Sequence, residues 1–596
     1  MKKIQGILYE YWPFFLGLFL GLYYITLTIT GTDFAYYPGD LGDSRFNIYL
    51  LEHAYRFFLV GDVPTSSYWD APYIYPQESI ITFSDNLLGT APIYSVFRIM
   101  GFSLISSFQL WFVTMTILNF TSAYIFFKWL LKNKYSATIG AMVFAFSLAL
   151  FGQMAHPQTF PRFCIPLAFL FACKFHRSFS AKHFFLAILF VVYQFYCALY
   201  LGFMLMVPIA LMFISTAILR GKALLKEASP KWLGSLLGGL AINVLIIMPL
   251  ILPYLNSPAL TTDADNLGYT DYKTVMDSIP YFRDFFFIRT YTYLWWFLNQ
   301  VSTDLPAWWD HQLFPSATVV VSSCFVVLYA IKVLLNPSKK KDTLFLSLGI
   351  VVALTFLLFT RTKEFSLYQY LYQLPGFGSM RSITRIINVE LLFFGLMTAM
   401  AFSVIVKEAK YKGIVYLIML AIFIPDNYIH PDGYTRSSKE ENYLRLGYLE
   451  EEMSKIESDK IVCLETYINR DAPIFYQIDV MLAAQKYGLR TINGYTSNCP
   501  QAYSFCADLD VFNRKSWMAD KNIPEEDVVV LYQDFDFELI QMIKKIKGDE
   551  PWLNKIREQT KREGIPLEEN IRNNAIWMLN ERTKFREATL AREAAN

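Results

Sequence analysis

Two carboxylates and an amide follow the first long apolar segment of the chain. Asp40, Asp43 and Asn47 are spaced i, i+3, i+7, so a helix in this region would carry all three on one face. A carboxylate at such a place can accept the proton of a hydroxyl group, or bind a divalent cation that holds a phosphate. Asp40 and Asp43 are therefore the first candidates for a site.

The residues around these carboxylates also have a purely structural interpretation. Residues 41–59 show helical periodicity, and we expect this helix to lie in the membrane interface. Asp40 would then cap the helix and Asp43 would face the positive end of its dipole. Glu52 would pair with Arg56 one turn later. Because Asp40 has the better position for capping, Asp43 is the favoured catalytic carboxylate.

The composition indicates a membrane protein. Hydrophobic residues make up 54% of the 596 residues and aromatic residues 17%, and the mean hydropathy is +0.30. The formal net charge is only +2, and no basic cluster with interleaved aromatic residues occurs, which excludes a nucleic-acid partner. Patterns typical of ATP, NAD or zinc-hydrolase sites are also absent from the sequence.

Apolar stretches of membrane-spanning length recur along residues 1–428. They lie at 12–29, 104–127, 136–153, 162–175, 183–198, 201–219, 232–255, 314–335, 343–360, 386–406 and 412–428. The pair at 183–198 and 201–219 is kept separate, because merging it would invert the orientation of everything downstream. The predicted fold class is a polytopic α-helical membrane protein with about eleven transmembrane helices.

Lysine and arginine predict the orientation, because short cytoplasmic loops collect them. They recur in every second loop, at 128–134, 174–182, 220–231, 332–341 and 407–412. The first span lacks a cleavage site of the signal-peptide type and is expected to be retained. We therefore expect a multi-pass protein of the cytoplasmic (inner) membrane, with its amino terminus in the cytoplasm and its carboxyl-terminal part outside.

Two large loops are expected on the outer face. The first, 31–101, carries the acidic motif, and the second, 256–313, contains the cluster Trp308-Trp309-Asp310. Chemistry in membrane proteins is usually housed in such long loops. Tryptophan and tyrosine in them also suit an aromatic belt at the level of the lipid headgroups.

Residues 429–596 have no long apolar run and are rich in charge, which predicts a soluble extracytoplasmic α/β domain. We expect strands at 460–464 and 527–531, helices at 475–487, 552–562 and 567–580, and a charged tail at 582–596. Cys499 and Cys506 can form a disulfide in an oxidising compartment, which would leave Cys463 unpaired. The four cysteines in or beside the spans have no metal-ligand spacing.

Five further residues are candidates for binding substrate. Arg381 and Arg385 are four residues apart near the outer boundary, where two guanidinium groups can bind phosphate oxygens or reach lipid headgroups. Arg162 is a weaker candidate of the same kind. His156 can orient a substrate or be a solvated loop residue, and Asp85 can bind substrate or stabilise a turn.

Several different short motifs follow one another along the chain, from the first outer loop to the soluble domain. They lie at 39–45, 61–64, 84–89, 155–158, 374–377 with the two arginines that follow, and 493–495. In order and topology they resemble the GT-C type integral-membrane glycosyltransferases, and they are most similar to the bacterial YfhO-like branch. The resemblance covers nearly the whole chain, although each motif is short.

This resemblance implies an inverting transfer of a sugar from a polyprenyl-phosphate-linked donor to an acceptor outside the membrane. The acceptor would be a glycan, a lipid or a protein of the cell envelope, and an aspartate of the first loop would be the general base. Some enzymes of this type use a divalent cation such as Mg²⁺ or Mn²⁺, for which Asp40 and Asp43 would be the ligands. The alternatives are a lipid or glycan transporter, and a non-catalytic membrane scaffold.

Overall fold

The chain folds into two compact units. This computed structural model describes residues 2–258, 270–288, 292–336, 342–465, 473–500, 503–506, 511–532, 537–564, 567, 570–571, 573–575 and 577–578. The first unit comprises Met1–Lys439 with Gly494–Tyr503, and the second Glu440–Asn493 with Ser504–Asn596. The boundary expected at 428/429 therefore lies further along the chain. The reason is that the strand Arg436–Ser438 pairs antiparallel with Tyr36–Pro38 of the first loop.

The first unit is built from helices and short helical turns. Its α-helices are Lys2–Gly21, Leu27–Thr30, Asp43–Tyr55, Ala91–Ile99, Leu104–Leu131, Lys134–Phe146, Cys164–Ser178, Ala181–Cys197, Leu199–Glu227, Pro230–Leu255, Tyr272–Asp277, Ala317–Leu335, Thr343–Phe359, Tyr368–Tyr372, Ile387–Glu408 and Lys412–Asp426. Leu22–Thr26 and Arg56–Val60 are π-helical. The 3-10 turns are Ile80–Phe83, Leu148–Gln153, Pro157–Thr159, Phe282–Phe286, Trp296–Leu298, Trp308–His311, Ile383–Ile386 and Pro431–Gly433.

Seven helices in the described part are long and apolar enough to cross a membrane. They are Tyr9–Thr30, Leu104–Leu131, Lys134–Gln153, Leu199–Glu227, Pro230–Leu255, Ala317–Leu335 and Ile383–Glu408, and two shorter apolar helices are Ala181–Cys197 and Thr343–Phe359. Helices occupy all eleven predicted positions, and the count of eleven crossings stays a prediction. The pair kept apart in the sequence is indeed two helices, separated by the extended residue Ala198.

Close helix packing in this unit depends on small residues. A Cβ at Gly395 would lie 2.7 Å from the carbonyl oxygen of Gly140, and one at Gly140 would lie 2.7 Å from the Phe127 ring. Glycine therefore lets Ile387–Glu408 approach Lys134–Phe146 directly, as small residues commonly do between membrane helices. The loops next to these two helices meet near Asp40 and Asp43, which are described below.

The helix Asp43–Tyr55, called here the acidic helix, is buried on almost every side from Ser44 to Ala54. It is therefore not the interfacial helix with one lipid-facing stripe that the periodicity predicted. The expected pair between Glu52 and Arg56 is also wrong. Glu52 instead accepts a hydrogen bond from the Arg98 Nε at 2.8 Å, because Ala91–Ile99 packs against the acidic helix. Arg56 pairs with an exposed aspartate of the following loop.

The second unit contains a parallel three-stranded sheet in the order Arg490–Thr491, Ile461–Glu465, Val528–Tyr532. Its helices are Pro473–Tyr487, Val511–Lys521, Phe537–Gly548 and Glu550–Glu563, preceded by Lys439–Met453, which begins in the first unit. Both predicted strands lie within one residue of these positions. The predicted helix at 475–487 is confirmed, and Gly488 follows it with a φ of +64°. The described residues within the helix predicted at 567–580 are all helical, and the tail predicted at 582–596 lies outside the described residues.

Candidate active site

Gly39 fixes the turn before the two carboxylates. Its φ is +91°, and a Cβ there would lie 1.7 Å from the Ser44 Oγ and 3.0 Å from the Met154 carbonyl oxygen. The Gly39 N–H donates a hydrogen bond to the Thr435 carbonyl oxygen at 2.9 Å. Since only glycine tolerates this conformation in this space, the loop that carries Asp40 is held against two later segments.

Asp40 lies in the turn ahead of the acidic helix, and Gly42 rather than Asp40 is the capping residue. The Asp40 Oδ1 accepts a hydrogen bond from the Gly42 N–H at 3.1 Å. Burial raises the pKa of Asp40, and the negative charge of Asp43 raises it further. Asp40 is therefore the more basic of the two carboxylates.

Asp43 lies in the first turn of the acidic helix, as predicted, and both of its carboxylate oxygens have partners. The His156 Nδ1 is 3.0 Å from Oδ2, and the Tyr495 hydroxyl donates to Oδ1 at 2.8 Å. Burial opposes ionisation of Asp43, but the hydrogen bonds from His156 and Tyr495 outweigh it and lower the pKa of Asp43. Asp43 is thus held as a carboxylate.

His156 links Asp43 to a second carboxylate. Its Nε2 lies 3.5 Å from the Asp310 Oδ1, while the Ser382 hydroxyl donates to the Asp310 Oδ2 at 3.1 Å. Burial and the charge of Arg385 lower the pKa of His156, but the two carboxylates outweigh them and the pKa lies above its ordinary value. The pKa of Asp310 is lowered in return, against the effect of its burial. The imidazolium form of His156 therefore suits this site.

Arg381 and Arg385 meet at one tyrosine rather than on one helical face. The Arg381 backbone N–H donates to the Tyr200 hydroxyl at 2.9 Å, and the Arg385 guanidinium lies 4.7 Å from the centre of the Tyr200 ring. Arg381 Nη2 also donates to the Ser497 carbonyl oxygen at 3.0 Å. Among the described residues, Arg385 Nε is buried without a partner, and the positive charge of Arg385 lowers the pKa of Asp43. One cation of the predicted pair therefore acts directly on the carboxylates.

Asp85 and Asn47 organise the surroundings of the site. Asp85 Oδ1 accepts hydrogen bonds from the Leu199 N–H at 2.7 Å and from its neighbour's N–H at 2.8 Å, so it holds the start of the helix Leu199–Glu227. Burial raises the pKa of Asp85 to about 6. The Asn47 Nδ2 donates to the Asp43 carbonyl oxygen at 2.7 Å and to Gln158, so the Asn47 amide does not bind the Asp43 carboxylate.

Arg162 is buried away from these carboxylates. Its guanidinium lies 5.0 Å from the centre of the Phe144 ring, and its backbone N–H donates to Asn119 Oδ1 at 3.0 Å. The ion pairs found among the described residues do not include Arg162. It belongs to a separate cavity.

Three residues of the site were not assigned from the sequence: Asp310, Ser382 and Tyr495. Asp310 ends the aromatic cluster Trp308-Trp309-Asp310, and Tyr495 ends one of the short motifs, so both lie in stretches that the sequence analysis named. Their roles were missed because each comes from a segment far along the chain, which one sequence does not place next to Asp43.

The side-chain atoms of Asp43 and His156 are already paired, so they are not free to bind a divalent cation. Both Asp43 oxygens and both His156 nitrogens already have partners, and the described residues contain no group of three His, Cys, Asp or Glu side chains arranged for a metal. Asp40 and Asp43 stay the candidates for such an ion, and no chemical step below depends on it.

Comparison with known proteins gives structural neighbours only. No family model and no curated protein matches the chain. The apo oligosaccharyltransferase of Archaeoglobus fulgidus is 12% identical with a TM-score of 0.48, covering 87% of this chain and 69% of that one. A second structure shows the same enzyme tethered by a disulfide bond to an acceptor peptide that contains the NVT sequon. It is 13% identical with a TM-score of 0.46, and the match covers 82% of this chain and 64% of that one. At these TM-scores the likeness assigns no activity to this chain.

Proposed function

We propose that the protein is a GT-C type membrane glycosyltransferase. It would move a sugar from a polyprenyl-phosphate-linked donor to a glycan, lipid or protein acceptor at the outer face of the cytoplasmic membrane. The supporting observation is the meeting of Asp43, His156 and Asp310, three ionisable groups from three separate loops, beside the more basic Asp40. Perturbed titratable groups that converge in this way are typical of catalytic sites. Closeness to the YfhO-like branch is part of the same proposal.

Asp40 is the general base in this proposal. A base works best when its pKa lies near the working pH, and the pKa of Asp40 is raised while that of Asp43 is lowered. In the transfer step the acceptor oxygen forms a bond to the anomeric carbon as Asp40 takes its proton. The bond from that carbon to the phosphate oxygen breaks, and the lipid phosphate leaves with the electron pair. The configuration at the anomeric carbon is inverted.

Asp43 and the arginines have supporting roles. Asp43 stays ionised, holds the His156 imidazole and raises the pKa of Asp40 through its charge. Arg381 and Arg385 offer guanidinium groups to the departing phosphate, whose charge grows as the bond breaks. Arg385 is the stronger candidate, because its Nε is buried without a partner in the described part of the chain.

The substitution Asp40→Asn tests the proposal. In lipid nanodiscs supplied with polyprenyl-phosphate sugars and candidate acceptors, we expect it to lower transfer at least a hundredfold, because the amide cannot take the proton. Asp43→Asn should lower transfer as well, but with a changed pH dependence. Asp33→Asn is the matched control, since Asp33 is exposed in the same loop, and it should keep full activity.

The outcomes separate this proposal from the alternatives. Full transfer by Asp40→Asn would mean that Asp40 is not the base, and full transfer by both variants would remove the carboxylate mechanism. Transport of intact lipid-linked sugar without release of lipid phosphate would favour the transporter. Retained cellular function in all variants would favour the scaffold. A loss of transfer upon chelation would show that Asp40 and Asp43 bind a cation after all.

A further inference from the structure

A second polar site lies inside the first unit. A cavity of about 50 Å³ is bounded by the first span, by Leu104–Leu131 and by the segments that flank His156. Its lining includes Arg162, Gln153 and Tyr434. Neither Arg381 nor Arg385 is among the described residues that line it, so this cavity is distinct from the place proposed for the leaving phosphate.

Three polar side chains of this cavity carry buried atoms that no described residue pairs with. Arg162, Gln153 and Tyr434 are 4%, 1% and 7% exposed. Two guanidinium nitrogens of Arg162 and both amide atoms of Gln153 are buried without a hydrogen bond among the described residues. The Tyr434 hydroxyl is also buried, and although it accepts a hydrogen bond from the Ile429 backbone, its own proton has no acceptor among the described residues. Buried polar groups are rarely left in this state, because each one costs the free energy of its lost hydration. Three side chains from separate segments therefore offer donors to one space.

The charge of the cavity is uncompensated. Arg162 stays protonated in proteins, and a buried charge without a partner is strongly unfavourable. None of the described residues that line the cavity is acidic. The Arg162 guanidinium lies 5.0 Å from the centre of the Phe144 ring, which offers only a weak cation–π contact. An anion from outside the chain would satisfy both the charge and the free donors.

We propose that this cavity binds a phosphate group through Arg162, with Gln153 and Tyr434 as further donors. The cavity has room for several water-sized groups, which suits an anion with several oxygens better than a single halide ion. A guanidinium pairs well with phosphate because its N–H groups match the spacing of two phosphate oxygens. The phosphate is either inorganic phosphate or the head of a lipid phosphate. This site does not depend on the proposed transfer reaction.

Thermal unfolding of the full-length protein in detergent tests the site. One arm adds inorganic phosphate and the other a short-chain polyprenyl phosphate, each against gluconate at equal ionic strength. At least one phosphate source should raise the unfolding temperature in a saturable manner, because a ligand that binds only the folded state stabilises it. Arg162→Gln should abolish the response to inorganic phosphate and the part of the lipid response that Arg381→Gln leaves. A response to the lipid alone that Arg162→Gln reduces would identify the lipid phosphate as the ligand of this cavity.

Two further variants keep the test decisive. Tyr434→Phe removes one hydroxyl and no volume of the ring, so it should fold and weaken phosphate binding about tenfold even if Arg162→Gln does not fold. Arg56→Gln is the control that should leave the response unchanged, since Arg56 pairs with the exposed Asp62 and does not line the cavity. A response kept in Arg162→Gln and Tyr434→Phe but lost in Arg381→Gln would place the phosphate at the transfer site, which overturns this inference without touching the proposed function. No response to either phosphate source would also overturn it.

Discussion

At the residue scale, the surroundings of the two carboxylates of the first loop shift their pKa values in opposite directions. Asp40 accepts hydrogen bonds from the backbone N–H groups of Gly42 and Ser44, but burial and the charge of Asp43 outweigh them, so its pKa rises above the ordinary value. Asp43 has His156 and Tyr495 on its two oxygens, so its pKa falls. Two acids of the same type that are separated in this way can divide the work of proton transfer and charge stabilisation between them.

The pH dependence of stability follows from the same groups. The folded pKa of His156 is raised, so its contribution is complete below its ordinary pKa and is lost as the pH rises through the folded value. The folded pKa of Asp43 is lowered, so its contribution is present above its ordinary pKa and is lost as the pH falls through the folded value. We expect His156→Gln to lower the unfolding temperature most in mildly acidic buffer and least at alkaline pH.

Thermal unfolding of wild type and His156→Gln across a pH series measures this difference. His183→Gln is the control, because His183 lies in the first turn of the helix Ala181–Cys197 and has the Ser178 hydroxyl, and no carboxylate, as its hydrogen-bond partner among the described residues. An equal effect of His156→Gln at every pH would show that the imidazole contributes packing and no charge.

At the scale of elements, the turn Trp308–His311 carries Asp310 and is held in place by buried contacts of His311. Asp284 is fully buried and lies 2.6 Å from the His311 Nδ1, and it also accepts a hydrogen bond from the Ser302 hydroxyl at 2.6 Å. The His311 Nε2 lies 3.0 Å from the Asp277 carbonyl oxygen. His311 follows Asp310 directly, so this buried pair sets where Asp310 stands relative to His156.

Asp284→Ala should therefore damage both stability and the site. Breaking a buried hydrogen-bonded pair of this kind costs about 3 kcal/mol of unfolding free energy. The matched control is Asp304→Ala in the same loop, whose partner Arg283 is exposed and whose loss should change stability little. Chemical denaturation gives the stability, and the transfer assay shows whether activity is lost with it. Similar stability and activity in the two variants would contradict the role of Asp284 in holding this turn.

Gly39 gives a second test at this scale. Gly39→Ala would force a Cβ into Ser44 and Met154, whereas Gly61→Ala, at a similar positive φ of +77°, meets nothing within 4 Å. Gly61→Ala should cost about 1 kcal/mol for the backbone conformation alone. Gly39→Ala should cost more and should abolish transfer, because the turn that carries Asp40 has to move. Equal losses of stability and activity in the two variants would mean that the contact is unimportant.

The sequence predicted local features well and long-range contacts poorly. Long apolar runs predicted the positions of the helices, and short apolar runs predicted two of the three strands of the second unit, because both depend on neighbouring residues. Asp43 and His156 were identified from the chemistry that their residue types allow. Asp310 and Tyr495 were not, since their place beside Asp43 depends on how distant loops pack. The burial of the acidic helix was missed for the same reason.

At the scale of the whole molecule, the contacts of the site constrain how the chain crosses the membrane. Asp310 bonds to Ser382 and Asp43 bonds to Tyr495, so each pair must lie on one side of the bilayer. An even number of crossings must then separate the members of each pair. Since Ala317–Leu335 is long enough to cross, the shorter Thr343–Phe359 must cross with it. The same reasoning requires Lys412–Asp426 to cross together with Ile387–Glu408.

The requirement for an even number of crossings does not decide whether one further pair of helices crosses the membrane. Asp85 bonds to the Leu199 N–H, so Cys164–Ser178 and Ala181–Cys197 either both cross or both stay outside. Arginine and lysine in the loop between them favour crossing, since such loops face the cytoplasm. A cysteine introduced at Ser178, which is exposed, should therefore be protected from a membrane-impermeant thiol reagent in intact cells and become reactive after permeabilisation. Lys410→Cys should behave in the same way, and Thr32→Cys in the first loop should react from outside. Labelling of Ser178→Cys from outside would reduce the expected number of crossings from eleven to nine and leave the expected outer position of the site unchanged.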